Sequence, residues 1–205
     1  MDEYFEMFLE EFGEPCNRRE VPASSMERYR HALPEQLLKY WEEFGWAGYA
    51  SGLFWIVNPQ EYEGVASAWL EGTELDGRDQ FHVVARTAFG ELFLWGEKFG
   101  PVISVTTLCS YAIAPHSFDK PPADLNSEVK YFFAFLNKSP RDYDGYFEDV
   151  LRRLGPLDDT QMYGFVPALA LGGQGHAKNL EKVSAVEHMT FLAQLDQLTI
   201  LRLPE

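Results

Sequence analysis

Gly172-Gly173-Gln174-Gly175 runs directly into His176 and, two residues on, Lys178. A glycine turn offers backbone N–H groups, and adjacent cationic side chains would make such a turn an anion site. A dinucleotide fingerprint needs G-x-G-x-x-G between a strand and a helix, and a phosphate loop needs G-x-x-x-x-G-K-[ST]. Neither pattern is completed, so the stretch reads first as a turn leaving a strand. Gly173, Gly175, His176 and Lys178 stay open as an alternative anion loop. The five histidines, His31, His82, His116, His176 and His188, lack ligand spacing, and His188 lies on an apolar helix stripe with Ala185, Met189 and Leu192. There is no HExxH, no paired CxxC and no G-x-S-x-G. Cys16 and Cys109 are far apart and are expected to be free thiols. A carboxylate pair of the glycosidase kind is recognised only by its separation in space. No catalytic residue, metal ligand or cofactor is therefore assigned.

What is abundant is acid. The 205 residues hold 32 acidic and 17 basic side chains, a formal net charge of −15. Residues 1–115 carry 19 acids and 8 bases, so most of the excess lies there. The densest stretch is 58–79, with Glu61, Glu63, Glu71, Glu74, Asp76 and Asp79 against Arg78 alone. Such a surface repels phosphates, which argues against direct nucleic-acid binding, and it suits a basic protein partner. Its other reading is plain solvation. No apolar run approaches the roughly 20 residues needed to span a bilayer, so no membrane partner is expected. The first twelve residues contain no Lys or Arg, unlike a secretory leader, which points to the cytoplasm.

The elements that must position these residues follow from periodicity. Phe5, Phe8, Leu9 and Phe12 form a helical stripe ending near Gly13. Leu37, Leu38, Trp41 and Phe44 form another, opened by Pro34 as its first residue and closed by Gly45. Residues 52–57 read as a buried strand, and Asn58 caps a third helix with Tyr62, Val65, Ala66 and Trp69 inward. On that helix Glu63, Ser67 and Glu71 share the outer face. Strands are expected at 81–87, 92–95, 101–107 and 109–113, with a tight turn at Phe89-Gly90-Glu91. Beyond a linker at 116–125, helices carry Val129, Phe132, Phe133 and Leu136, then Phe147, Val150, Leu151 and Leu154. A strand is expected in 163–171, a helix from Ser184 with a capping box to Glu187, and a closing strand over 198–203. The fold class is α+β, with helices packed on an antiparallel sheet in the N-terminal part, 1–115. A smaller, mostly helical α+β C-terminal part occupies 126–205.

Two stretches carry a resemblance. FHVVARTAFGELFLWGEKFG, residues 81–100, is similar to the strand–turn–strand core of the bacterial GAD-like domain, chiefly through ARTAFGELFLWG. LALGGQGHAKNLEKVSAVEHMTFLAQL, residues 169–195, resembles the C-terminal domain that commonly follows it. Together they resemble the immunity proteins paired with type VI secretion DNase effectors. That resemblance implies a non-enzymatic cytoplasmic protein that binds a cognate toxin nuclease and occludes or distorts its active site. The expected contact residues are Glu61, Glu63, Ser67, Glu71, Glu74, Asp76 and Asp79, with Phe89 and Glu91 at the hairpin. Phe89 and Leu92 read first as the sheet's own core, as do Trp95, Trp46 and Tyr49. The competing reading is a small-ligand protein or enzyme using the Gly172–His176 loop, and a third is a regulatory interaction module.

Overall fold

A computed structural model describes residues 2–115 and 118–202. Helix α1 (Glu3–Phe12) starts where the Asp2 carboxylate accepts the Tyr4 and Phe5 amides, and it stops at Gly13 (φ 78°). Glu3 and Glu6 in its first turn complement the positive end of the helix dipole. Strand β1 (Cys16–Arg19) and helix α2 (Ala23–Tyr29) follow. Helix α3 (Glu35–Phe44) begins after Pro34, which caps the helix from one position outside it. It ends at Gly45, whose φ is 72° and where any Cβ would collide with the Arg19 carbonyl. Strands β2 (Trp46–Tyr49) and β3 (Phe54–Ile56) lead through a 3-10 turn into α4 (Glu63–Leu70). The Asn58 side chain accepts the Gln60 amide at the start of that turn.

A meander comes next: β4 (Phe81–Thr87), β5 (Glu91–Gly96), β6 (Gly100–Thr106) and β7 (Tyr111–Ala114). Helices α5 (Leu125–Ala134) and α6 (Tyr146–Leu154) precede β8 (Gln161–Phe165), β9 (Leu180–Ser184), α7 (Ala185–Ala193) and β10 (Thr199–Arg202). The α+β class is as expected, and the expected helices and meander strands are present.

Several local expectations change. The β1, α2, β2 and β9 segments are too short or too polar to show a period; the strands among them form by pairing, β1 with β2, β2 also with β3, and β9 with β8, and α2 forms by packing on the core. The 163–171 strand stops at Phe165, because Pro167 has no N–H to continue a ladder. Ser184 sits at the N-cap of α7, yet its side chain makes no capping hydrogen bond, so the expected capping box with Glu187 is not formed. That N-terminus is tied down instead by the Ala185 amide donating to the Thr160 carbonyl at 2.8 Å. His116 and Leu203 lie outside the described residues, as does part of the expected linker.

Eight strands form one sheet in the order β1-β2-β3-β4-β5-β6-β7-β10, and β8-β9 form a separate hairpin. All neighbours in the large sheet are antiparallel except β10, which lies parallel to β7. Apolar cores cover both faces. On one, α1, α2, α3 and α5 bring Phe5, Phe8, Trp41 and Phe133 against Phe54 and Phe93. On the other, α4, α6, α7 and the β8–β9 hairpin bring Trp69, Phe147, Met162 and Met189 against Val83, Leu92 and Val105. Residues beyond 125 thus enter both cores and the sheet itself. Among the described residues no helix is long and apolar enough to cross a membrane.

Candidate partner-binding surface

Helix α4 presents Glu63 and Ser67 to solvent while Val65, Ala66, Trp69 and Leu70 are buried; Glu71, expected on the same face, is exposed one residue past the end of the helix. The loop after it is held in one shape. The Thr73 hydroxyl donates to the Leu70 carbonyl at 2.7 Å, and the Gly72 amide donates to the Asp76 carboxylate at 3.2 Å. Leu75 is wholly buried and pins the loop to the core. Asp79 Oδ2 accepts the Lys98 and Phe99 amides at 2.9 and 3.0 Å, tying the loop to the β5–β6 turn. Two concavities flank this ridge. One, about 640 Å³, is lined by Glu63, Ser67, Glu71, Asp76 and Asp79; the other, about 470 Å³, by Glu71, Glu74 and Asp196.

Part of the expected charge is neutralised within the molecule. Glu61 receives two bonds of 3.0 Å from Arg19, Glu63 one of 2.6 Å from Arg28, and Glu74 pairs with Arg202 at 2.7 Å. These pairs are solvent-exposed, so each stabilises the fold by less than about 1 kcal/mol. Their effect on the surface potential is larger than their effect on stability, because each carboxylate has its countercharge in place. Among the described residues, Glu71, Asp76 and Asp79 have no ion pair, and they line the larger concavity. None of the arginine partners was legible from spacing, since each is more than twenty residues away in sequence.

The hairpin residues are placed differently. Phe89 is 3% exposed, with its ring against Tyr143, Phe147 and Tyr163, so it serves the core and not a partner. Leu92, Trp95, Trp46 and Tyr49 are likewise buried. Glu91 is mostly enclosed, and Arg141 approaches it at 3.6 Å. Burial raises the Glu91 pKa above the ordinary carboxylate value, against a smaller lowering by Arg141. The Arg141 guanidinium also lies 5.6 Å from the Phe93 ring centroid.

The glycine loop is an internally bonded turn. The Gly172, Gly173, His176 and Asn179 amides donate to the carbonyls of Leu169, Ala168, Gln174 and His176. A Cβ at Gly173 would strike the Pro167 carbonyl, so that glycine answers to chain packing. His176 and Lys178 are exposed on this turn. His82 shares a 2.9 Å contact with Glu97, and His188 is half-buried with its pKa lowered by desolvation. Among the described residues no three His, Cys, Asp or Glu side chains cluster as metal ligands, and both cysteines are free thiols.

The feature that sequence reading missed is Arg86, fully buried in the ARTAFG turn. Its Nε donates to the Tyr62 hydroxyl at 2.8 Å, and its Nη2 donates to the Asp159 carbonyl at 2.9 Å. The guanidinium lies 5.2 Å from the Trp55 ring centroid. Beside it the Tyr163 amide donates to the Ala88 carbonyl at 2.8 Å. Gly90 (φ 74°) sits so close to Met162 and Thr107 that a side chain would not fit. The turn is thus one of the points where the first half of the chain grips the second.

The family model of the GAD-like domain matches residues 3–109. The chain belongs to the GAD-like family. A second family model, that of the C-terminal part of the T6SS immunity protein Tdi1, matches residues 126–196. The crystal structure of Atu4351 from Agrobacterium tumefaciens has the same fold, with a TM-score of 0.86 at 24% identity over 98% of this chain and 93% of that one. No curated protein sequence matches. In these terms the ARTAFG turn of the GAD-like part packs directly against the part that the second model matches. Arg86, Ala88 and Gly90 all contact residues between 159 and 163.

Proposed function

We propose that this protein is an immunity protein that binds the toxin domain of a type VI secretion effector, a DNase, and blocks its substrate groove. The observation that carries the reading is the match of residues 126–196 to the Tdi1 C-terminal immunity family behind a GAD-like part. The electrostatics support it. A DNase presents Lys and Arg to phosphates, so its groove is positive. The concavity with uncompensated Glu71, Asp76 and Asp79 is complementary to such a groove; Glu63 and Ser67 line it too, Glu74 lines the neighbouring concavity, and Glu61 precedes the same helix. Fields of opposite sign raise association rates, to about 10⁸ M⁻¹s⁻¹ or more at low salt. Binding in this way needs no cofactor and no turnover, and it takes place in the cytoplasm where the toxin would meet DNA.

Co-expression with the toxin encoded beside this chain tests the proposal. Rescue of growth, and a complex on size-exclusion chromatography, are the expected results. Continued killing with no complex would sink it.

A further inference from the structure

Toward its β7–β10 end, the sheet face that carries Phe93 runs out from under its core. The registers of β5, β6, β7 and β10 align Phe93, Ser104, Ile113 and Leu201 in a row across four strands. Two residues along each strand, Glu91, Thr106, Tyr111 and Thr199 make the next row on the same face. The alternate residues Val105 and Ala112 are fully buried on the opposite face. Ile113, Tyr111 and Leu201 belong to neither core cluster, and Leu201 is 48% exposed.

Helix α5 walls this face. Between α5 and the strands runs a groove of about 360 Å³, and beyond Arg141, which lines both, a cavity of about 300 Å³ continues to Tyr143 and Asp144. At the rim Phe135 is 71% exposed, stacked at 6.1 Å on Tyr131, itself 43% exposed. Large exposed apolar side chains are therefore gathered here, which is the mark of an interaction surface. Among the described residues β10 has no strand beyond it, so it forms the edge of the sheet beside this face. Ile200 turns the other way and lines the concavity of Glu71 and Glu74, while Arg202 bonds Glu74. The apolar face and the acidic ridge thus meet at the β10 edge.

We propose that this open face anchors the toxin: it takes a segment of the basic toxin domain carrying one or two bulky apolar side chains flanked by Lys or Arg. The proposal rests on the immunity reading above and adds the surface that sets residence time. Charge complementarity selects the occupant. Glu91, Glu128 and Asp144 line the groove and cavity against Arg141 alone, and Arg141 is already turned to Glu91. A second copy of this chain would bring the same acidic rim and a net charge of −15 to meet its own kind.

The experiment uses the full chain and the toxin domain encoded beside it, inactivated at its catalytic residue, in a biolayer binding assay. Phe135→Ser and Leu201→Ser change exposed residues, and Phe191→Ser, exposed on α7, serves as the control. The expected result is dissociation faster by about thirtyfold for the first two, with association changed less than about threefold and thermal midpoints unaltered. The control should dissociate like wild type. Wild-type binding with unchanged dissociation of both test variants would overturn the proposal. A self-associated chain that Phe135→Ser makes monomeric, with toxin binding intact, would overturn it in favour of a second copy. No complex with the wild-type chain would remove the immunity reading, and this inference with it.

Discussion

Arg86→Met tests how the two parts of the chain are joined. Methionine keeps the unbranched stem but removes the guanidinium, leaving the Tyr62 hydroxyl and the Asp159 carbonyl without their donor. Both lost bonds are short, 2.8 and 2.9 Å, while the third, to the Thr87 carbonyl, is 3.3 Å and counts for less. A buried polar group left unpaired costs about 1–3 kcal/mol. Two such losses are partly offset, because the variant no longer buries a charge that lacks a carboxylate partner among the described residues. The net destabilisation is about 2–5 kcal/mol, a large share of the roughly 5–15 kcal/mol that holds a domain folded. With a urea slope of about 2–3 kcal/mol/M, the unfolding midpoint should fall by roughly 1–2 M. Arg86→Lys should recover little, because an ammonium cannot serve Tyr62 and Asp159 with the geometry of a guanidinium. A midpoint shift below about 0.3 M at unchanged slope would refute the reasoning, and would mean that the desolvation of Arg86 cancels its hydrogen bonds.

Neutralising the free acids by Glu71→Gln with Asp76→Asn keeps side-chain size and the acceptor for the Gly72 amide. At about 7 Å from a partner charge in water each carboxylate is worth about 0.6 kcal/mol, so toxin association at low salt should slow about eightfold, and the difference should vanish near 1 M salt. Equal on-rates at low salt, measured by stopped flow, would make that charge mere solvation. For His188 the folded pKa lies below the ordinary 6.5 because burial penalises the cation. The unfolded chain then binds more protons below pH 6.5, so stability should fall as pH drops through that range. His188→Leu should flatten this slope in urea midpoints taken between pH 7 and 5, and an unchanged slope would exclude His188 as its source. Finally, a fragment ending at residue 115 should lack a cooperative urea transition, since α5 and the β8–β9 hairpin complete both cores. A sharp transition in that fragment would establish 1–115 as an independent folding unit.

The helices α1, α3, α4, α5 and α6 were legible because their signals are local. Phe5, Phe8 and Phe12, or Leu37, Leu38 and Trp41, declare a buried face within one or two turns, and Gly13, Gly45 and Gly155 end their helices by backbone freedom alone. The hairpin at Gly90 was legible for the same reason. The acidic stretch 58–79 was visible as composition, and its place on an ordered helix and loop followed from periodicity. Its effective charge was not visible, because Arg19, Arg28 and Arg202 reach Glu61, Glu63 and Glu74 only when the chain has folded.

Strand pairing is where the sequence stops. A four-residue strand such as Thr199–Arg202 carries no mark of its partner, and only the sheet places it parallel to β7, 88 residues earlier at Tyr111. That one pairing sets Leu201 beside Ile113 and Ile200 beside the acidic loop. The amino-acid sequence by itself determined every long helix but α2, the hairpin turn, the net acidity and the family. The tertiary structure decided which charges stay free, why Arg86 is buried and which sheet face stays open, because each depends on contacts between residues far apart along the chain.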